Sequence, residues 1–323
     1  MKWKKTYWAL AFAMTAIITL QGCEKKVTNP EQAAQKLATP ITIKHELGST
    51  VIDHLPQRIA VLDMNEADFL DQLQVPFAGM PKDFVPHFLG KYKNDSKVQD
   101  LGSIVQPNIE RIYALKPDLI LMTPIQASKY KELTEIAPTL HYDINFNNSQ
   151  NKYIETVKSH LMSLGQIFHK EDLARQKVAE LDAEVKKARE VTANRPEKAL
   201  VVLHNNGAFS NFGIQSRYGF IFHDLGVKPA STVVDNSLHG QPISSEFIKQ
   251  ANPDILYIVD RTAVMEHRPT IDATSVSNPL LRETKAWKNG HVVFVDADAW
   301  YITAASPTSL KILINDVIKG YQK

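Results

Sequence analysis

Asn108-Ile109-Glu110, followed by Pro117-Asp118-Leu119-Ile120-Leu121, decides the fold, because the pattern recurs as Ser244-Ser245-Glu246 and Pro253-Asp254-Ile255-Leu256-Tyr257. In each copy a Glu stands seven residues before Pro-Asp and an apolar, β-rich run follows. A capping residue, a short helix, a proline stop and a buried strand account for both. The copies lie 136 residues apart, well beyond the roughly 20–50-residue period of stacked repeats. The chain therefore reads as two similar lobes. Two lobes make a cleft, and clefts hold ligands.

Working outward, Ile41 to His54 alternates about Gly48-Ser49 and predicts a hairpin. Arg58–Leu62, Leu119–Met122 and Thr139–Tyr142 read as strands; Asn65–Leu73, Glu110–Leu115 and Lys129–Ile136 read as helices. That alternation indicates an α/β lobe. Glu171 to Thr192 carries Val178, Leu181, Val185 and Ala188 at spacings of three, four and three, and Asn194-Arg195-Pro196 stops it. A helix of that length spans about 33 Å and suits a strut between two halves. The pattern restarts with the strand Ala199–Leu203. Helices over Tyr218–Leu225, Ser245–Gln250 and Ser309–Tyr321, and strands over Ile255–Val259 and His291–Val295, complete the second half. Asn206–Gln215 and Ser231–Pro242, rich in Gly, Asn and Ser, read as loops.

The N-terminus is a targeting segment. Lys2, Lys4 and Lys5 precede an apolar run from Tyr7 to Leu20, too short for a comfortable span, which ends in Leu20-Gln21-Gly22-Cys23. Cys23 is the only cysteine. It stands where a lipoprotein signal puts the residue that carries lipid, and no intrachain disulfide is possible. Removing residues 1–22 takes away three lysines and no acid, leaving 34 basic against 35 acidic residues. That balance excludes a nucleic-acid footprint. The polar run to Pro40 reads as a tether. The expected organisation is a signal peptide over 1–22, lipidated Cys and tether over 23–40, a first lobe over 41–168, the long helix over 169–195 and a second lobe over 196–323.

Gly-x-Ser-x-Gly, His-Glu-x-x-His, Walker A and Gly-x-Gly-x-x-Gly signatures are missing, which moves weight from catalysis to binding. Candidate ligand contacts fall in loops after second-lobe strands, where open α/β sheets hold ligands. They are Arg217 in Ser216-Arg217-Tyr218-Gly219, His239 beside Gly240, Arg261 after Val259-Asp260, and the pair Trp300-Tyr301. Each has an ordinary reading: a surface ion pair for an arginine, a solvated loop position for His239, core packing for the aromatic pair. Together they suit one guest. Fe(III) is hard and octahedral; a phenolate and an imidazole complete its shell when a chelator leaves positions open, and arginines attract the chelate's anionic oxygens.

These segments, with Gly79-Met80-Pro81, Leu115-Lys116-Pro117-Asp118-Leu119-Ile120, Glu135-Ile136-Ala137-Pro138-Thr139 and Ser245-Glu246-Phe247-Ile248, resemble the substrate-binding lipoproteins of ferric-siderophore ABC importers. The resemblance runs from about residue 41 to the C-terminus. It is strongest to the branch that takes enterochelin-type, anguibactin and acinetobactin chelates. It implies two α/β lobes joined by one long α-helix, with the ligand in the cleft between them and no intrinsic cofactor. By resemblance Arg217 and Arg261 pair with siderophore oxygens, His239 and Tyr301 ligate iron when the chelator is tetradentate, and Glu110 and Glu246 dock on a permease dimer served by a separate cytoplasmic ATPase. The implied protein is a monomer in the periplasm, lipid-anchored through Cys23. Two equivalent exposed acids suit a two-fold symmetric partner, although each Glu also offsets the helix dipole.

Ile125 departs from the pattern. It lies eight residues after Pro117, as Arg261 lies eight after Pro253, and in triscatecholate binders an arginine occupies its place. A cleft with one cation fewer disfavours a highly anionic guest and points to a mixed catechol–hydroxamate chelate with an azoline ring, on which Ile125 packs. Alternative readings are a haem, cobalamin or metal-ion binder of the same fold, and a secreted lipoprotein hydrolase.

Overall fold

The computed structural model describes residues 35–322 apart from 150–151, 234–236 and 277; the targeting segment and Cys23 lie outside the described residues. The chain opens with a hairpin of β1 (Lys36–His45) and β2 (Gly48–His54). The first lobe then runs β3 (Ile59–Val61), α1 (Met64–Gln72), β4 (Gly79–Met80), β5 (Gln99–Asp100), α2 (Ile109–Leu115), β6 (Leu119–Met122), α3 (Tyr130–Thr134) and β7 (Thr139–His141). Its sheet has the spatial order β5-β4-β3-β6-β7, with every pairing parallel. Two details differ from the sequence expectation. Lys36 to Pro40 belongs to β1 and not to a tether, with Lys36 opposite His54 and an irregularity before Ile41; the ribbon's free edge tolerates Pro40. The turn also falls at Glu46-Leu47, two residues before Gly48-Ser49.

Two antiparallel helices follow, α4 (Tyr153–Ile167) and α5 (Glu171–Thr192). The bounds of α5 are those the apolar spacing predicts. One face of it, Ala174, Leu181, Val185, Ala188 and Thr192, is buried against α4 and the closing helix of the second lobe.

The second lobe comprises β8 (Lys198–Asn205), β9 (Ala208–Phe212), α6 (Gly219–His223), β10 (Lys228–Pro229), β11 (Gln241–Ile243), α7 (Ser245–Ala251), β12 (Ile255–Asp260), α8 (Arg261–Met265), α9 (Pro279–Arg282), α10 (Lys285–Lys288), β13 (Val292–Phe294) and α11 (Pro307–Lys319). Its parallel core β10-β8-β12-β13 repeats β4-β3-β6-β7 of the first lobe. The stretches Asn206–Gln215 and Ser231–Pro242, expected as loops, contain strand instead. Ala208–Phe212 is β9, turned back on β8 through Asn206 (φ 49°) and Gly207 (φ 84°), and Gln241-Pro242 begins β11 on the edge of β9. Asn-Gly supplies the two left-handed residues of a tight hairpin turn.

The duplicated block has one local logic in both lobes. Asn108 accepts from Arg111 N at 2.9 Å, and Ser244 from Phe247 N at 3.3 Å. Lys116 and Asn252 end α2 and α7 in the left-handed region. The Asp of each Pro-Asp then ties the strand to its neighbour: Asp118 accepts from Gln57 N and Arg58 N at 2.7 and 2.8 Å, and Asp254 from Lys198 N at 3.0 Å. β6 and β12 are buried along their whole length, each Leu or Ile contributing about 1.5–3 kcal/mol.

A polar seam supplements the shared core between the lobes. Asn65 and Asp68 on α1 accept from Ala305 N and Thr308 N at 3.0 and 2.7 Å. Tyr142 and Tyr153 donate to the carbonyls of Ala305 and Ala304 at 3.0 and 3.2 Å. On one rim, His87 N donates to Asp298 at 2.9 Å. Among the described residues no helix is long and apolar enough to cross a membrane.

Candidate functional site

Tyr301 is the hub of the site. It sits on a π-helical turn over Asp298–Thr303, a rare form that recurs at functional sites. Consecutive residues on such a turn face different ways, and the structure separates the aromatic pair accordingly. Trp300 is fully buried and donates its indole N–H to Asp316 at 3.0 Å, so its side chain cannot line the cleft. Its contribution is the backbone carbonyl, which accepts from the Tyr218 hydroxyl at 2.5 Å and from Arg217 at 3.4 Å. The partly buried Tyr301 ring faces three of the other candidates. Arg217 lies 5.9 Å and Arg261 5.6 Å from its centroid, and the His239 ring stacks at 6.1 Å.

Each of these neighbours is fixed by its own local structure. Arg261 is the first residue of α8, whose N-cap Asp260 is buried and accepts from Ala263 N, Ile271 N and His204. From there Arg261 Nε donates to the Tyr301 hydroxyl at 2.7 Å and Nη1 to Asn205 at 3.2 Å. Arg217 follows Ser216, whose carbonyl accepts from both the amide and hydroxyl of Ser149 in the first lobe. Gly219 permits that turn, since a Cβ there would lie 2.4 Å from the Ile214 carbonyl oxygen. His239 precedes Gly240, which has φ +73° and passes so near β9 that a Cβ would meet Asn211 O at 2.7 Å.

The electrostatics are those of an anion site. Arg217 is 5% exposed, and among the described residues its Nε has no partner and Nη2 reaches only carbonyls. Among the described residues neither Arg217 nor Arg261 has a carboxylate within ion-pair distance. Buried charge is ordinarily paired, so two uncompensated guanidiniums are poised for a negative guest. Burial lowers the pKa of His239, and Arg217 and Arg261 lower it further. The imidazole therefore stays neutral and able to bind a metal.

Ile125 stands apart from this cluster. It follows β6 on a 3-10 turn and is 37% exposed. With Pro124, Ile144, Phe146 and the second lobe's Leu238, it lines a cavity of about 340 Å³ between the lobes. Leu238 adjoins His239 and so links the apolar wall to the cation cluster. Sequence reasoning missed Leu238, Phe146 and Asn205 as wall and support, although Leu238 lies within the singled-out loop. Glu110 and Glu246 lie outside the cleft, each the exposed second residue of α2 or α7. The backbone amide of Glu246 and the Ser244 hydroxyl lower its pKa.

Residues 59–299 match the family model for periplasmic binding proteins. The chain is 65% identical over 314 residues, 97% of each sequence, to the ferric-anguibactin-binding protein FatB of Vibrio anguillarum. It is 33% identical over 324 residues, 99% of this chain and 100% of the other, to the petrobactin-binding protein YclQ of Bacillus subtilis. Among solved structures, the siderophore-binding protein BauB, bound to a complex between two molecules of acinetobactin and ferric iron, superposes with a TM-score of 0.86 at 77% identity. The match covers 88% of this chain and 99% of that one.

Proposed function

The chain belongs to the periplasmic binding protein family, and on that footing we propose that it captures a ferric siderophore in the cleft and delivers it to a membrane permease for iron uptake. The observation that carries this reading is the pair of guanidiniums, Arg217 and Arg261, that flank Tyr301 with no carboxylate partner among the described residues. They receive the anionic oxygens of the chelate. The Ile125–Leu238 wall receives its apolar ring, which favours a mixed-donor guest over a triscatecholate. His239 and Tyr301 offer imidazole nitrogen and phenolate oxygen to iron wherever the chelator leaves positions open; two chelators per iron would leave few. No residue performs chemistry on the ligand. Glu110 and Glu246 dock on the two equivalent halves of the permease, and lipid on Cys23 holds the protein at the membrane.

The test is a titration of the purified protein with ferric chelates of differing denticity, and with haem. Binding of a ferric mixed-donor chelate tighter than that of a ferric triscatecholate is expected, with no saturable haem binding. His239→Ala and Tyr301→Phe should weaken tetradentate complexes far more than saturated ones, with loss of the phenolate-to-iron charge-transfer band. Silence of both variants with every chelate would remove direct ligation. Failure of every ferric chelate to bind would remove the reading itself.

A further inference from the structure

A second cluster of donors lies where the hairpin meets the end of β7, and the siderophore site does not use it. Thr50 donates its one hydroxyl hydrogen to the Thr139 carbonyl. Its oxygen, 2.9 Å from His45 Nε2, must therefore accept, so His45 carries its proton on Nε2 and leaves Nδ1 as a bare lone pair. His141 Nδ1 lies 2.6 Å from an Asp143 carboxylate oxygen. A carboxylate accepts, so His141 is protonated on Nδ1 and Nε2 is the lone pair.

Both lone-pair atoms, His45 Nδ1 and His141 Nε2, are buried and have no hydrogen-bond partner among the described residues. The His141 residue is only 4% exposed. Two acceptors cannot satisfy one another, and a buried acceptor left unmade costs about 1–3 kcal/mol. The two rings lie 6.0 Å apart, and one donor atom from each of His45, His141 and Asp143 falls within 4.8 Å of the others. Nitrogens on one zinc ion at about 2.0–2.1 Å stand roughly 3–4 Å apart, a separation that rings with centroids 6.0 Å apart can reach by turning toward one another. His141 and Asp143 also line a surface cavity of about 260 Å³ beside the cluster.

We propose that His45 and His141 bind a divalent transition-metal ion of the zinc class, with Asp143 orienting the His141 ring and water filling the remaining positions. Carboxylate–histidine–metal relays of this kind fix tautomer and ring orientation. The ion would pin the hairpin to β7. The Asp143 carboxylate also accepts from Glu46 N at 3.0 and 3.1 Å, and Glu46 lines the interlobe cavity, so the metal would stiffen one wall of the cleft.

Isothermal titration of the purified protein with zinc chloride, in metal-stripped, non-coordinating buffer, tests this. One ion per chain is expected, with a Kd on the order of 1 μM or tighter. His45→Gln and His141→Gln should abolish binding, and Asp143→Asn should weaken it about 10–100-fold. His87→Ala, which removes the imidazole facing Asp296 and Asp298, should leave it unchanged. Imidazole nitrogen NMR of the unaltered protein supplies a readout that does not depend on the variants' folding: His45 Nδ1 and His141 Nε2, and no other ring nitrogens, should shift on zinc addition. No stoichiometric binding, binding that survives both substitutions, or ring signals that report only a bridging water would each overturn the proposal.

Discussion

Replacing Arg217 with Met should move stability and affinity in opposite directions. Arg217 is 5% exposed, and among the described residues its guanidinium has no carboxylate partner and bonds to the Trp300 and Tyr301 carbonyls at 3.4 and 3.2 Å. An unpaired buried charge costs several kcal/mol of desolvation. The two long bonds from the guanidinium to carbonyls return less than the about 1.5–3 kcal/mol of a well-formed bond from a charged group, and Trp300 O keeps the Tyr218 hydroxyl. Met fills much of the volume of the arginine stem without the charge. The ligand-free variant should therefore be as stable as the parent or more so, by up to about 2 kcal/mol. In the complex, a charge-assisted bond worth about 1.5–3 kcal/mol disappears, a loss of about 10- to 150-fold in affinity. Urea unfolding without ligand and calorimetric titration with a ferric mixed-donor chelate give the two numbers. A variant that loses more than about 2 kcal/mol of stability while keeping its affinity would show that Arg217 is a structural clamp on the π-helical turn, and the anion-site argument would fail.

Arg261→Met should raise the pKa of His239, because Arg261 contributes to its depression; an unchanged imidazole titration by NMR would separate the two residues. Burial raises the pKa of Asp68 to about 6. The folded protein then binds more protons than the unfolded chain between about pH 4 and 6, and stability falls as pH rises through that window. Asp68→Asn, which keeps an acceptor for Thr308 N, should flatten the slope by up to about 3 kcal/mol across it; urea melts at pH 4, 5, 6 and 7 with parallel wild-type and variant curves would contradict this. Glu110→Lys and Glu246→Lys should each slow permease-dependent iron uptake several-fold with chelate affinity unaltered; equal uptake by both variants would remove the docking role.

The local signals of the duplicated block were legible because they are short-range: Asn108 and Ser244 cap, Pro117 and Pro253 stop, and four to six apolar residues follow. The long helix was legible for the same reason. β9 was not, although Asn206-Gly207 is a hairpin signal, because the polar Asn and Ser of Ala208–Phe212 masked a strand that pairs antiparallel with β8. The convergence of Arg217, Arg261 and His239 on Tyr301 was legible as a set of residue types at strand ends, but not as geometry. Which of Trp300 and Tyr301 faces the cleft depends on a π-helical turn, and that register carries no sequence period. The His45–His141 cluster joins residues almost a hundred positions apart and has no spacing motif at all.

The turn that carries Tyr301 is gripped from both sides. Arg217 and the Tyr218 hydroxyl hold the carbonyl of Trp300 from the second lobe, while Tyr142 and Tyr153 hold the carbonyls of Ala305 and Ala304 from the first. Any change in the angle between the lobes therefore pulls on the peptide units next to Tyr301. The phenol acts as a strain gauge. A change in the angle between the lobes would load the backbone on either side of the Tyr301 ring, so the position of the phenol is tied to the geometry of the interlobe seam.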